Sequence, residues 1–484
     1  MIVRDKLYID GAWVASSGNG TITVTSPVTE EPLGTVPDGT AEDMDRAVAA
    51  ARRAFDEGPW RRLSVDERAD KLSALARVIE KRSQEIASLI SSENGVPIMF
   101  SAPGEALGAV AYIDYVAEMI RTYRFTEVRT GLAGSEVEVT EVPVGVAAAI
   151  VPWNAPLLLA MLKVIPALAV GCSVVWKPAP ETPLDSYLFA ECVEEVGFPA
   201  GVINIVAAGR EVGEHLVTHP GVDKVAFTGS TAAGRRIASL CGELLRPVTL
   251  ELGGKSAAII CEDADLSTTL PTLSALSMML NGQACVLQSR VLIPRGMYRE
   301  FVEGLGNAYS QFPVGDPLDP GTLIGPLVAE RQRARVESYI AVGQEAGAKV
   351  VTGGGRPKHL DRGWFVEPTL LTDVDNSMRV AREEIFGPVV CAIPYDGIDE
   401  AIAIANDSDY GLSGSVWSSD IERARQIARR VDTGMMTVNG LAYEFNAPMG
   451  GMKASGLGRE MGPEGLRAYL EYKTVSLPAA PPGV

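Results

Sequence analysis

Between residues 145 and 250 the sequence alternates short apolar runs with helical stretches, and this alternation constrains the fold more than any other feature. Val146–Val151, Ser173–Trp176, Val202–Val206, Lys224–Phe227 and Arg246–Leu250 read as strands. Helices fall between them: Leu157–Val170, Thr182-Pro183 to about Val196, Glu211–Thr218, and Gly229-Ser230-Thr231 to about Cys241. Strands joined through helices pair in parallel, because a parallel connection needs a long crossover. Such a sheet is covered on both faces, and its ligands bind beyond the C-terminal ends of its strands. Residues just past each strand are therefore the first place to look for chemistry.

The same rhythm resumes past residue 255. Strands are expected at Ala257–Ile260, Ser289–Pro294, Val350–Val351 and Val389–Ile393, and helices at Ser267–Leu280, Ala334–Ala346 and Asp399–Asn406. Residues 7–36 read as short strands punctuated by glycine and proline. Helices then begin near Thr40-Ala41-Glu42-Asp43 and Ser64-Val65-Asp66-Glu67 and continue through Ile86–Ser92 and Gly104–Arg121. Residues 122–144 change character. Glu136–Val142 alternate with period two beside a hairpin signal at Gly131 and Gly134-Ser135, the pattern of an extended ribbon with one polar face. Met449–Gly458 reads as a glycine-rich loop, 459–470 as a helix and Tyr472–Leu477 as a last strand, with fraying over the Pro-rich Pro478–Val484.

Composition removes some functions. Acidic residues outnumber basic ones 61 to 43, a dispersed net charge of −18. That balance argues against a nucleic-acid groove and against docking on an anionic membrane. Six cysteines lie far apart with no CxxC, so neither a metal cluster nor a disulfide framework is expected. No signal peptide or spanning run is visible, and a cytoplasmic protein with reduced thiols is expected. Only three histidines are present, His215, His219 and His359, none in a catalytic setting. A catalytic base is then expected to be a carboxylate.

Cys285 lies in Asn281-Gly282-Gln283-Ala284-Cys285-Val286, after a glycine that frees the backbone to turn. A thiol is a strong nucleophile once its proton is removed. Glu251 sits in the apolar run Leu250-Glu251-Leu252-Gly253-Gly254-Lys255, where burial raises a carboxylate toward a working base; pairing with Lys255 is the structural alternative. Asn154 ends a strand between Pro152 and Pro156 and offers an uncharged donor pair for an oxyanion. Phe227–Gly234 leads a strand into a helix, where the amides of Gly229 and Ser230 favour a pyrophosphate. Its spacing is neither a P-loop nor a G-x-G-x-x-G fingerprint. Lys177 follows a strand and reaches ribose hydroxyls or a phosphate. In Glu383–Pro388, Glu384 suits ribose hydroxyls and Phe386 suits a flat ring. Each motif alone also fits an ordinary turn or packing site.

Taken in order, these motifs resemble the aldehyde dehydrogenase superfamily, from the strand pair at Leu7–Trp13 to Lys473-Thr474-Val475. The resemblance implies an α/β fold in three parts. A Rossmann-like cofactor domain would span 1–121 and 144–253, and an α/β catalytic domain 254–467. A β-ribbon over 122–143, with a C-terminal strand in 468–484, would join chains into a homodimer or homotetramer. It implies Cys285 as nucleophile, Glu251 as general base, Asn154 and the Cys285 backbone N–H as oxyanion hole, and Lys163 with Glu460 as proton relay. Ile150, Trp153, Lys177, Gly209, Thr228, Gly229, Ser230, Gly234, Leu252, Glu384 and Phe386 would bind the cofactor, with no metal, nucleic acid or membrane partner. The implied reaction is oxidation of an aldehyde to a carboxylic acid through a Cys285 thiohemiacetal and thioester, with hydride passing to NAD.

Two positions depart from the family pattern. Pro180 stands where many NAD-preferring members carry a glutamate, with Glu181 beside it; this leaves NADP or dual use open. Cys172 stands where asparagine is frequent. The implied substrate tunnel reads Ala155, Leu158, Leu159, Leu162, Ala284, Val286 and Met449, aliphatic and without arginine. A hydrophobic aliphatic or aromatic aldehyde is expected over an acidic semialdehyde. A cofactor-free thiol hydrolase, a silent binding protein and a CoA-acylating enzyme are the rivals, and the retained Glu251 weighs against the last two.

Overall fold

Five parallel strands form the centre of an eight-stranded sheet in the computed structural model, which describes residues 1–132 and 134–478. The fraying expected at the terminus falls, over 479–484, outside the described residues. Across the sheet the order is Gly456–Leu457, Val248–Glu251, Lys224–Thr228, Val146–Ile150, Ser173–Lys177, Ile203–Ile205, Leu7–Ile9 and Ala12–Val14. The inner three, Lys224–Thr228, Val146–Ile150 and Ser173–Lys177, are buried along their whole length, as strands covered on both faces must be. From Val146–Ile150 the chain builds outward through Ser173–Lys177 and Ile203–Ile205. It then returns to lay Lys224–Thr228 and Val248–Glu251 on the other side. The reversal opens a crevice at the C-terminal ends of Val146–Ile150 and Lys224–Thr228.

A second sheet has seven strands: Lys349–Thr352, Thr369–Thr372, Val389–Tyr395, Gln288–Pro294, Ser256–Ile260, Gly414–Trp417 and Thr437–Val438. Only the Lys349–Thr352 edge runs antiparallel. A third sheet pairs Thr126–Thr130 with Glu136–Pro143 and closes it with Leu470–Ser476, so that Thr140 faces Thr126 on one side and Lys473 on the other. The two expected helix starts carry full capping boxes, Thr40 with Asp43 and Ser64 with Glu67. Each such cap is worth about 1 kcal/mol. No helix among the described residues is long and apolar enough to cross a membrane.

Four segments differ from expectation, and each has a local cause. The helix expected over 459–470 is only Gly462–Arg467. Glu460 exchanges backbone hydrogen bonds with Met449 at 2.7 and 2.8 Å, and Met461 has φ +61°. The glycine-rich loop contains a strand, Gly456–Leu457, which pairs antiparallel with Val248–Glu251 and places Gly456 opposite Glu251. A Cβ at Gly456 would lie 2.2 Å from the Leu250 carbonyl oxygen, so only glycine fits. The helix expected to reach Leu280 ends at Ser277; Leu280, Asn281 and Gly282 then turn left-handed at φ +52°, +59° and +73°. The helix expected from Gly104 starts as a π-helical turn over Ser101–Ala106 and becomes α-helical at Leu107–Thr122.

Candidate active site

The crevice holds a cavity of about 270 Å³. One wall comes from three strand ends: Trp153 and Asn154, then Thr228, Gly229 and Ser230, then Leu252 and Gly253. The other comes from the second half of the chain: Gln332 and Arg335 on the helix Glu330–Glu345, and Glu384 and Phe386. Two glycines let the walls close. A Cβ on Gly229 would lie 2.5 Å from the Phe227 ring, and one on Gly253 would lie 2.4 Å from Glu384 Oε2. Ser230 caps the helix Thr231–Glu243 by accepting from the Ala233 N–H at 3.3 Å. Glu384 Oε1 accepts from the Gly254 N–H at 2.9 Å. Burial pushes the Glu384 carboxyl up to about 7, against the pull of that N–H, Lys255 and Arg335. Phe386 stands edge-on to Trp153 at 5.4 Å.

Four expected cofactor residues lie at the same sheet edge but outside this cavity lining. Ile150 ends its strand, Gly209 starts the helix Arg210–Thr218, and Gly234 packs against Leu252. Lys177 is buried, with Nζ donating to the Pro178 carbonyl at 3.2 Å. Burial lowers the Lys177 ammonium to about 8, although Glu181 and Asp38 favour its charge. Glu181 is ion-paired with Arg331. Cys172 is buried against the Tyr469 carbonyl and lines neither cavity.

A second cavity, of about 310 Å³, lies on the far side of Cys285. All seven expected tunnel residues line it: Ala155, Leu158, Leu159, Leu162, Ala284, Val286 and Met449. Its wall is not purely aliphatic, since Phe100, Tyr443 and Phe445 join them. Glu105 is the one ionisable carboxyl among the described lining residues. Its Oε2 accepts from the Leu157 and Leu158 N–H groups at 3.1 and 3.0 Å.

The two cavities meet at Asn154 and Cys285, which line both. Asn154 Nδ2 donates to the Gln283 carbonyl at 2.9 Å, which leaves its second N–H for another acceptor. Cys285 is half-buried, and burial together with the Glu384 and Glu251 carboxylates pushes its thiol up to about 12. The ligand-free thiol therefore holds its proton at neutral pH.

Glu251 is 1% exposed, and neither carboxylate oxygen has a hydrogen-bond partner. A Cβ at Gly450 would lie 2.6 Å from Oε1, so the glycine-rich loop makes the room this carboxylate occupies. Burial and the Glu460 carboxylate raise Glu251 well above the usual carboxylate range, opposed by Lys163 and Arg459. The alternative pairing with Lys255 does not form; Lys255 Nζ is buried without a partner. Lys163 is fully buried and bridges. Its Nζ lies 2.8 Å from Glu460 Oε1 and donates to Thr228 Oγ1 at 2.6 Å.

Gln332 and Arg335 were not anticipated from sequence. Gln332 Nε2 donates to the Phe386 carbonyl and Arg335 Nη2 to the Glu384 carbonyl, both at 2.6 Å. Gln332 lies on the buried stripe with Val336, Tyr339 and Ile340, ahead of the helix expected from Ala334, and Arg335 flanks that stripe on the exposed side.

Comparison with known proteins agrees over the full length. The model of the aldehyde dehydrogenase family matches residues 13–475. The chain is 49% identical to geranial dehydrogenase of Castellaniella defragrans, covering 98% of this chain and 99% of that one. It is 44% identical to 3-succinoylsemialdehyde-pyridine dehydrogenase of a Pseudomonas species, over 97% of this chain and 98% of that one. Among solved structures, an aldehyde dehydrogenase of Mycobacterium tuberculosis complexed with NAD+ superimposes with a TM-score of 0.97 at 46% identity, covering 99% of each chain. A mutant aldehyde dehydrogenase C of Pseudomonas syringae, complexed with NAD+ and octanal, gives 0.94 at 40% identity, covering 97% of this chain and 96% of that one. With this agreement from near the first strand pair to the last strand, the chain belongs to the aldehyde dehydrogenase family.

Proposed function

We propose that this enzyme oxidises a hydrophobic aldehyde to its carboxylic acid, with NAD as hydride acceptor, Cys285 as nucleophile and Glu251 as base. One observation carries the reading: an apolar cavity and a second one of mixed lining, with Ser230, Arg335 and Glu384 beside Trp153, Leu252 and Phe386, converge on a single thiol and a single amide. Two relatives support the hydrophobic class, a geranial dehydrogenase and an aldehyde dehydrogenase solved with octanal.

The apolar cavity takes the aldehyde's body and presents its carbonyl to Cys285. The free N–H of Asn154 and the Cys285 backbone N–H receive the carbonyl oxygen as it becomes an oxyanion. Because the thiol sits at about 12, it needs a proton acceptor, and Glu251 is the buried carboxylate that meets that need. Sγ then bonds to the carbonyl carbon. A nicotinamide held by Glu384 and Phe386 would supply the acceptor for the hydride on that carbon. Glu251 passes the thiol proton to Lys163 and Glu460 and then takes a proton from water, whose oxygen attacks the Cys285 thioester; the C–S bond breaks, the thiolate is released and the acid leaves. Lys163 and Glu460 carry that proton away as well, with Thr228 as their contact to the crevice.

The crevice suits a dinucleotide, with Lys177 placed beyond the cavity lining. Lys177 is a buried ammonium with donors to spare, the helix Thr231–Glu243 offers amides at its start, and Glu384 presents a carboxylate. Lys177 would hold the adenosine ribose, Gly229 and Ser230 the pyrophosphate, and Glu384 and Phe386 the nicotinamide riboside. Pro180 leaves no carboxylate there against a 2′-phosphate, and Glu181 is held by Arg331, so NADP is a usable second acceptor. We assign 1–121 and 144–253 to the cofactor domain, 254–467 to the catalytic domain, and the ribbon 122–143 with 468–484 to assembly of a dimer or tetramer in the cytoplasm. Exposed Val128, Tyr472 and Val475 on that ribbon support the assembly.

The deciding experiment is an aldehyde panel with NAD and NADP, followed by absorbance of the reduced cofactor. Hydrophobic aldehydes should give the highest kcat/KM. A protein that reduces neither cofactor yet cleaves activated esters would be a thiol hydrolase instead. Two further results are expected. Asn154→Ala should lower kcat by about 10²–10³-fold, the usual loss for one oxyanion donor. The KM for NAD should fall as pH rises from about 6 to about 8, because Glu384 ionises near 7 and its carboxylate is the better acceptor. Glu384→Gln should flatten that dependence.

A further inference from the structure

The Asn94–Gly95 dipeptide ends the helix Ser83–Asn94 and touches both loops of the site without lining either cavity. Asn94 is fully buried. Its Nδ2 donates toward the carbonyls of Trp153 and Asn154 at 3.5 and 3.4 Å, and its Oδ1 accepts from the Val96 N–H at 2.9 Å. The next carbonyl, of Gly95, accepts from Asn281 Nδ2 at 2.8 Å. Asn281, also fully buried, donates to the Pro326 carbonyl at 2.9 Å and accepts from the Gly325 N–H at 2.7 Å. The Asn154–Gln283 bond closes the circuit, because Gln283 lies between Asn281 and Cys285.

The backbone shows why this region needs holding. Leu280 and Asn281 are left-handed without being glycine, a conformation that is strained for leucine in particular. Such a turn persists only where its surroundings over-determine it, and the Asn281 amide takes partners from three other residues. The packing is close: a Cβ on Gly325 would lie 1.9 Å from the Gly95 carbonyl oxygen.

We propose that Asn94 and Asn281 are positioning residues that fix the separation between the Asn154 amide and the Cys285 loop, the two sides of the oxyanion site. This rests on the roles given above to Asn154 and Cys285. Both residues act through others, so their loss appears in kcat and not in KM. A misplacement of about 1 Å is enough to cost ~10²-fold.

The test uses the full-length enzyme with Asn94→Asp, Asn94→Ala, Asn281→Ala and the double variant Asn94→Ala/Asn154→Ala. Asn94→Asp keeps the acceptor for Val96 and the side-chain shape but loses the donor. Rates are normalised to reactive thiol, titrated by alkylation, and hydrolysis of p-nitrophenyl acetate without cofactor is measured alongside aldehyde oxidation. Each single variant should lower kcat by about 10–100-fold in both reactions, with KM values within about twofold. Asn94→Ala should cost less than about threefold on the Asn154→Ala background. Asn94→Asp with wild-type kcat per thiol, or full additivity in the double variant, would overturn the proposal even where Asn281→Ala fails to fold. If the wild type oxidises no aldehyde, the dehydrogenase reading fails, and the ester arm still decides the positioning role.

Discussion

Replacing Cys285 by alanine should abolish aldehyde oxidation, with kcat falling by at least about 10⁴-fold. No other thiol can substitute: the remaining five cysteines are buried, and none lines either cavity. The loss should leave the fold intact. Cys285 is half-buried at a junction of cavities, so truncation removes little packing. NAD binding, followed by fluorescence, and the melting temperature should therefore stay near wild type. Cys285→Ser should be almost as inactive, because a hydroxyl ionises far less readily than a thiol. More than about 1% of wild-type kcat in Cys285→Ala would remove the assigned chemistry.

Glu251→Gln should show a different failure. If Glu251 activates the hydrolytic water, steady-state turnover falls by about 10²–10⁴-fold while the acyl group still reaches Cys285. Rapid mixing should then show up to one reduced cofactor per site followed by a stall, and intact mass should show an acyl adduct on the protein. If Glu251 also removes the thiol proton, the burst itself slows. Loss of turnover with neither burst nor adduct would restrict Glu251 to the thiol step. The pH profile adds a sign. Cys285 lies near 12 and Glu251 well above the usual carboxylate range, and both must release protons to work. Wild-type kcat/KM should rise with pH through neutrality, and Glu251→Gln should remove the limb that Glu251 contributes.

Much of this site was legible because strand ends announce themselves. Apolar runs broken by proline or glycine placed Trp153, Asn154, Gly229 and Leu252 just past their strands, where a parallel sheet binds ligands. The tunnel was half legible. Leu158, Leu159 and Leu162 came from the family resemblance; they share the helix Pro156–Val170, which is apolar and buried nearly all round, so its spacing alone picks out no face. Tyr443 and Phe445 come from irregular backbone and Phe100 from the single-turn helix Ile98–Phe100, too short for periodicity to report direction. Gln332 was hidden because it precedes the helix expected from Ala334, and Arg335 because a polar residue flanking an apolar stripe looks solvated. Glycine at 450 was visible, but its purpose was not; the space it leaves belongs to Glu251, a residue far away in sequence. Similarly, the helix before Cys285 reads as reaching Leu280, because Met278, Met279 and Leu280 continue its apolar run and give no sign that it ends at Ser277.

The pairing of Gly456–Leu457 with Val248–Glu251 has a consequence for biosynthesis. The strand that carries the base has an open edge until the far end of the chain arrives, and Glu136–Pro143 likewise waits for Leu470–Ser476. Translation proceeds at roughly 5–20 residues per second, so both edges stay unpaired while most of the protein is already made. An unpaired edge invites association with other chains. Premature termination before residue 449 would therefore yield a polypeptide with both edges exposed and without Gly450 beside Glu251. Glu251 therefore acquires its Gly450 and Gly456 neighbours only late in synthesis, long after its own strand has been made.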